Sequence, residues 1–336
     1  MASRIKMSDI AKELGVSTVT VSKALTDKDG VGAELRKQIK QKAEEMGYVY
    51  NSLPRNMLEG RNYNIGILIG AKYLGESSFY WIFYQHLLDT LKLTRYAGIL
   101  EIVSNADEAD CVVPAFVTTN KVDGIILLGQ LNDAYLTMIT TKNPRCIFLD
   151  FYSDIGKRDC IASNNFLGSY NITKLLITAG HTKIAFIGST SATTSILDRY
   201  MGFCKAMLES NLSYDNAIPD RDGNGGLYEE IALDEGAYTA YVCNNDRLAG
   251  RIIRQLARRG IQVPRDVSIG SFDNESSAVT GGIGVTSLEV NITAMGESAV
   301  QSLIQYIENP EYQGRGRIFI DGTIAVKQSI APPATL

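Results

Sequence analysis

The segment Met7–Leu25, MSDIAKELGVSTVTVSKAL, is the part of the chain with the fewest folding options. Met7, Ile10, Ala11 and Leu14 recur at i, i+3, i+4 and i+7, which gives a helix one apolar face. Gly15 can adopt the positive φ that ends such a helix. Ser17 can cap a second helix by accepting from its first free N–H groups. That second helix is expected to bury Val21 and Leu25 and to leave Thr18, Val19, Thr20, Ser22 and Lys23 outside. The outer face is short and polar, with one cation and no carboxylate. Such a face suits a DNA major groove, where hydroxyls bond base edges, Val touches a thymine methyl and Lys reaches guanine or phosphate. A generic helical hairpin with a solvated face satisfies the same pattern.

A third helix is expected from about Ala33 to Met46, with Leu35, Ile39, Ala43 and Met46 as its buried stripe. Arg36, Lys37, Lys40 and Lys42 lie on or beside its outer side, within reach of phosphates. Residues 1–60 hold 10 Lys and Arg against 8 Asp and Glu, whereas the whole chain has a net charge of −4. The asymmetry has the sign of a DNA-facing end on an acidic body, but it is small.

The run Asp9-Ile10-Ala11 through Leu14-Gly15-Val16-Ser17 to Thr20-Val21-Ser22-Lys23-Ala24-Leu25, followed by Glu44-Glu45-Met46-Gly47-Tyr48-Val49-Tyr50-Asn51, resembles the amino-terminal domain of the lac-repressor/gal-repressor (LacI/GalR) family of bacterial transcription regulators. The resemblance implies that double-stranded operator DNA is a partner and that residues 1–50 form the DNA-binding domain. It also implies that residues 51–61 form a hinge that folds on DNA and wedges an apolar side chain into the minor groove. Met57 matches the wedge position, with Leu58 beside it, and Asn51 and Arg55 are expected as further DNA contacts in this segment. Pro54, in the first turn after Ser52, is compatible with a helix there.

From Tyr63 onward apolar runs alternate with helical stretches. Ile65–Ile69, Ile99–Val103, Gly124–Leu128 and Cys146–Leu149 form a first series of strands. Asp159–Ala162, Ile184–Gly188, Thr239–Cys243 and Val267–Ser271 form a second. Two such series predict two Rossmann-like parallel sheets, with ligand at the carboxyl ends of the strands. No G-x-G-x-x-G or phosphate-loop pattern is present, and Gly223-Asn224-Gly225-Gly226 reads as a turn.

Further runs extend the resemblance over the whole chain: Ala179-Gly180-His181-Thr182-Lys183, Asp198-Arg199-Tyr200-Met201-Gly202-Phe203, Asn244-Asn245-Asp246, Val263-Pro264-Arg265-Asp266 and Ser271-Phe272-Asp273-Asn274. The implied fold is a small all-α helix-turn-helix domain followed by an α/β, two-lobed domain like the periplasmic binding proteins, spanning 62–336. One lobe takes about 62–160 and 291–320, the other about 161–290 and 321–336. A small-molecule effector, with sugar favoured, is expected between them. The family's effector positions fall on Arg199, Asn245 and Asp273; Phe79 and Tyr80 are candidates to stack on the ligand, and Ser195 is a weaker polar one. The chemistry fits a sugar: a guanidinium offers a planar fork to two neighbouring oxygens, and a carboxylate accepts two hydroxyl protons. An Arg–Asp pair bridging two strand ends is the structural alternative. Asn164-Asn165 departs from the family's Asp-Asn, so ligand preference does not carry over.

Trp81, Tyr84 and Leu88 share helical spacing and read as core or interface. The two histidines, His86 and His181, sit in no nucleophile motif, and His181 reads as structural. The five cysteines lack metal spacing, so no metal, cofactor or catalysis is expected, and a reducing cytoplasm fits them. No apolar run reaches membrane-spanning length, and the polar start reads as lacking an export signal. Paired half-sites require a homodimer; the short end after Ser329 leaves no room for a heptad helix, which favours a dimer over a tetramer. The competing reading is a soluble sugar-binding protein without DNA function.

Overall fold

The structure, a computed structural model, describes residues 5–48, 60–75, 79–222, 226–234, 236–275 and 282–334. The hinge candidates Asn51, Arg55, Met57 and Leu58, and the glycines at 223 and 225, lie outside the described residues. The chain divides into two compact units, 1–62 and 63–336.

The first unit contains α1 (Met7–Leu14), α2 (Thr18–Leu25) and α3 (Ala33–Glu45). Gly15 ends α1 at φ 65°, and the Ser17 hydroxyl accepts from the Thr20 N–H at 3.0 Å to start α2. Ile10, Ala11, Val21, Ala24, Ile39 and Ala43 form the core, with Leu14, Leu35 and Met46 packed around it. One expectation is corrected. Ala24, not Leu25, is the fully buried partner of Val21, and Leu25 stays half-buried. The small side chain lets α2 approach its neighbours closely, which places Leu25 at the edge of the core.

The second unit holds two six-stranded sheets. The first is built from β1 (Asn64–Gly70), α4 (Phe79–Lys92), β2 (Ala97–Val103), α5 (Asn105–Ala109), α6 (Ala115–Thr118), β3 (Gly124–Leu128), α7 (Asp133–Lys142), β4 (Cys146–Leu149) and β5 (Cys160–Ser163). The chain then crosses to α8 (Asn165–Thr178), β6 (Ile184–Ile187), α9 (Thr194–Glu209), β7 (Ala217–Ile218), β8 (Ala240–Cys243), α10 (Asp246–Arg258), β9 (Ser268–Phe272) and β10 (Thr286–Glu289). It returns for α11 (Ile292–Glu308) and β11 (Arg317–Ile320), and crosses again to β12 (Thr323–Ala325). The strand orders are β11-β5-β4-β3-β1-β2 and β12-β10-β9-β8-β6-β7. All pairings are parallel except β10 with β12.

The alternation along β1 explains the layering. Ile65, Ile67 and Ile69 face α4 and α11, while Leu68 joins Phe116 and Ile139 on the opposite face. In the second sheet α10 covers one face, and α8 and α9 cover the other. Helices α8 and α9 lie so close that a Cβ on Gly202 would collide with the Phe166 carbonyl. That contact is the physical reason for glycine in the run Asp198–Phe203.

The strand expected at Asp159–Ala162 belongs to the first sheet, not the second. It begins at Cys160 and pairs Cys160 with Phe148 and Ile161 with Leu149 on one side, and with β11 on the other. An apolar run identifies a strand but not its sheet; the pairing with β4 and β11 decides it. The edge strand β7 and strand β10 were not expected as separate strands. Trp81 also points outward, 40% exposed, because Phe79, Phe83, Leu87 and Leu91 form the buried stripe of α4.

Candidate functional site

Two places concentrate functional chemistry, one in each unit. On α2, Thr18, Val19 and Lys23 are exposed, Val19 at 62%. Thr20 and Ser22 are half-buried. Ser17 and Thr20 are tied together, hydroxyl to hydroxyl at 2.8 Å, so Ser17 acts first as the cap. A 62%-exposed valine beside threonine and lysine gains nothing from water, but it has the shape to meet a base edge.

The cations of α3 are more engaged than their sequence positions suggest. Arg36 and Lys40 both hold Asp27, at 3.2 and 2.7 Å, and Lys42 holds Glu45 at 2.6 Å. Exposed pairs of this kind are worth about 0–1 kcal/mol, so a phosphate can replace the carboxylate cheaply. Lys37 is exposed and has no ion-pair partner among the described residues.

In the second unit, a cavity of about 730 Å³ opens between the carboxyl ends of the two sheets. Phe79, Tyr80, Ser195, Arg199, Asn245 and Asp273 all line it, so the structure brings every expected effector residue together. Each has additional work. Arg199 is buried on α9; its Nε donates to Asn165 Oδ1 at 2.7 Å and its Nη1 to the Asn244 carbonyl at 2.5 Å. Its Nη2 faces Asp273 Oδ1 at 3.7 Å, and the guanidinium lies 4.3 Å from the centre of the Phe272 ring. The structural alternative is therefore partly realised: two sides of the fork hold the lobe together and the third faces the cavity. Asn245 caps α10, with its Oδ1 accepting from the Leu248 N–H at 2.9 Å. Asp246 is buried behind it and does not line the cavity.

Sequence reasoning missed Asp150. It follows β4 directly, lines the cavity and accepts from the Tyr80 hydroxyl at 2.8 Å. Burial pushes its carboxyl up to about 6, against the opposing effects of the Tyr80 hydroxyl and Arg199. Burial likewise raises Asp273, although Arg199 acts against it. Gln130, after β3, was missed too. Its Oε1 accepts from the Thr194 N–H at 2.9 Å, and the Ser195 hydroxyl donates to the Asp150 carbonyl at 3.1 Å. These bonds join the first lobe to the start of α9. The available signal was position: both residues lie at or just past the end of an expected strand, where open α/β sheets bind ligands.

His181 is buried, with Nδ1 2.9 Å from the Thr239 hydroxyl and Nε2 2.9 Å from the Ala331 carbonyl, a structural role. Among the described residues no group of His, Cys, Asp and Glu could hold a metal, and no helix is long and apolar enough to cross a membrane.

Comparison with known proteins matches residues 6–51 to the bacterial regulatory proteins of the lacI family and residues 173–330 to a periplasmic binding protein-like domain. The chain belongs to the lacI family. This lacI-family member is a DNA-binding transcriptional regulator. It is 29% identical to the HTH-type transcriptional regulator RegA of Clostridium saccharobutylicum, over 93% of this chain and 94% of that one. It is 25% identical to the HTH-type transcriptional repressor PurR of Glaesserella parasuis serovar 5 (strain SH0165), over 91% of each. The lac repressor dimer bound to operator and the anti-inducer ONPF has the same fold, with a TM-score of 0.78 at 18% identity, over 98% of this chain and 100% of that one. A complex of the transcriptional regulator CelR with cellobiose gives 0.69 at 20% identity, over 97% and 100%. The lacI-family match includes α2, and the periplasmic binding protein-like match includes Arg199, Asn245 and Asp273 of the cavity.

Proposed function

We propose that this regulator is a repressor that grips operator DNA through α2 and whose grip is changed by a sugar held in the cavity. The observation that carries this reading is the convergence of Asp150, Arg199, Asn245 and Asp273, with Phe79 and Tyr80, on one cavity between strand ends. Carboxylates and an amide serve sugar hydroxyls, and aromatic rings serve the apolar face of the ring. RegA and PurR, regulators by name, support the DNA side, and the CelR–cellobiose complex supports the sugar side.

The mechanism is linkage between two sites. A ligand that bonds both lobes selects one angle between them, and the Gln130–Thr194 and Asp150–Ser195 bonds are the contacts such a change must keep or break. Coupling of this kind amounts to about 1–3 kcal/mol and is reciprocal: whatever weakens DNA binding has its own binding weakened by DNA. Two copies are required for paired half-sites, and Trp81 and Ile82, each 40% exposed on α4, offer apolar surface for a second copy. The protein is expected to work in the cytoplasm as a homodimer.

The test is binding to a palindromic DNA library, with and without a panel of sugars, alongside sedimentation of the free protein. Sequence-selective, salt-sensitive binding that a sugar alters supports the proposal. Sugar binding with no DNA affinity would instead favour a plain sugar-binding protein.

A further inference from the structure

The cavity is chemically polarised. On the β4–β9 side stand Asp150 and Asp273, with Asn245 beside them after β8. There the cation is the more hidden partner: the Arg199 side chain is 8% exposed and that of Asp273 15%. On the β1–β7 side the order reverses. Lys72, after β1, pairs with Glu108 at 2.8 Å, with the lysine side chain 38% exposed and the glutamate 8%. Arg221, after β7, pairs with Asp220 at 3.0 Å, with exposures of 25% and 4%.

The buried carboxylates also have other donors. Glu108 accepts from the Asn132 N–H at 2.7 Å, and Asp220 from the Ser189 N–H at 2.8 Å. They belong to the wall, and the cations face the space. Arg221 bonds Asp220 through Nε and Nη2, leaving Nη1 without a partner among the described residues. Arg251, which lines the same side, bonds the Tyr228 and Glu229 carbonyls through Nη2.

Lys72 and Arg221 come from different lobes but flank one ring. Lys72 Nζ lies 5.4 Å from the centre of the Tyr73 ring, and Arg221 is close enough to oppose the upward shift of the Tyr73 phenol. An anion between them would bridge the lobes. Sheet order sets the distance from the carboxylate side: β1 lies two strand spacings from β4, and β7 three from β9. At roughly 4.8 Å per strand that is about 10–15 Å, longer than one pyranose ring.

We propose that the cavity takes an acidic sugar of disaccharide length or more, with a ring at Asp150 and Asp273 and a carboxylate or phosphate at Lys72, Arg221 and Arg251. This rests on the sugar reading above and narrows it. Planar guanidinium groups suit either anion, which both offer paired oxygens.

The experiment uses the full-length protein. Neutral disaccharides, among them maltose and galactobiose, are titrated beside their 6′-phosphates and their uronic-acid counterparts. Melting temperature and calorimetry are read at low and moderate salt. The expected result is at least tenfold tighter binding of one acidic form than of its neutral parent, weakened by salt. The phosphate and uronate arms identify the source of the anion. Arg221→Gln should collapse that ratio towards one, and Arg221→Lys should keep part of it. Lys72→Gln replaces Arg221→Gln if that variant melts early without ligand. Neutral parents binding as tightly as both acidic forms would overturn this proposal alone, as would a preference that survives both glutamine variants. If no sugar of any kind binds, the sugar reading falls and this proposal falls with it.

Discussion

Asp150 and Asp273 occupy matching positions in the two lobes. Each is the first residue after the third strand of its sheet, counted from the β11 or β12 edge, and each has a positive φ, 69° and 95°. Positive φ is uncommon for a side chain other than glycine, and such conformations cluster at ligand sites. The pair raises each lobe's carboxylate into the same cavity, and the charge of Asp273 adds to the upward shift of Asp150.

That shift gives ligand binding a pH dependence. With its carboxyl at about 6, Asp150 is mainly ionised above that value, where both oxygens accept; below it one oxygen carries a proton and donates instead. Sugar affinity should be flat above pH 7 and fall as pH drops through 6, by up to about tenfold per unit. Asp150→Asn should flatten the profile. Calorimetric titration from pH 5 to 8 reads both; affinity that rises on acidification would contradict the role given to Asp150.

Arg199 is expected to matter for stability as much as for the ligand. Arg199→Ala leaves Asn165 Oδ1 and the Asn244 carbonyl without their buried donor, and Asp273 without its cation. The loss should be about 3–5 kcal/mol. It would be measured as a lower urea midpoint at unchanged slope. Arg199→Lys, with one compact ammonium, should recover only part.

Asp246 makes the second lobe less stable at neutral and alkaline pH. Burial and the charge of Asp273 push its carboxyl up to about 7, against the opposing effects of the Ser287 and Ser271 hydroxyls and the Glu275 N–H. Between the ordinary carboxyl value and 7 the native state holds a proton that the unfolded state has released. Stability therefore falls as pH rises through that window, and the deficit is complete above it. Asp246→Asn keeps an acceptor for the Glu275 N–H and should stabilise the protein at pH 8 by on the order of 2–4 kcal/mol. The gain should vanish near pH 4. Thermal melts of both proteins across that range provide the measurement.

On α2, Thr18→Ala and Val19→Ala should change which operator is preferred, by about 1–3 kcal/mol at one base pair. Lys37→Ala should instead weaken all sequences alike and reduce the salt slope by about one. Library binding at two salt concentrations separates the two patterns. Identical effects from all three variants would remove α2 from base recognition.

What was legible in the sequence was whatever a few neighbouring residues decide. Gly15, the Ser17 cap and the apolar stripe of α1 act within one or two turns, and the first unit follows them closely. Arg199, Asn245 and Asp273 were legible through the resemblance, and they do share one cavity. Their inward partners were not, because Asn165 and Asn244 reach Arg199 only once α8, α9 and β8 have packed. Asp150 carries no local motif; its place depends on β4 lying third in the sheet. The assignment of β5 failed for the same reason, since strand order is a property of the whole sheet.

The last two strands, β11 and β12, are consecutive in the chain, yet each completes a different sheet, and Ser329 and Ala331 then bond back to Ile269, Thr286 and His181. During synthesis neither lobe can close its edge until its strand of the 317–325 segment has left the ribosome. Loss of residues 317–325 would damage both halves of the ligand site at once, although it removes no residue that lines it.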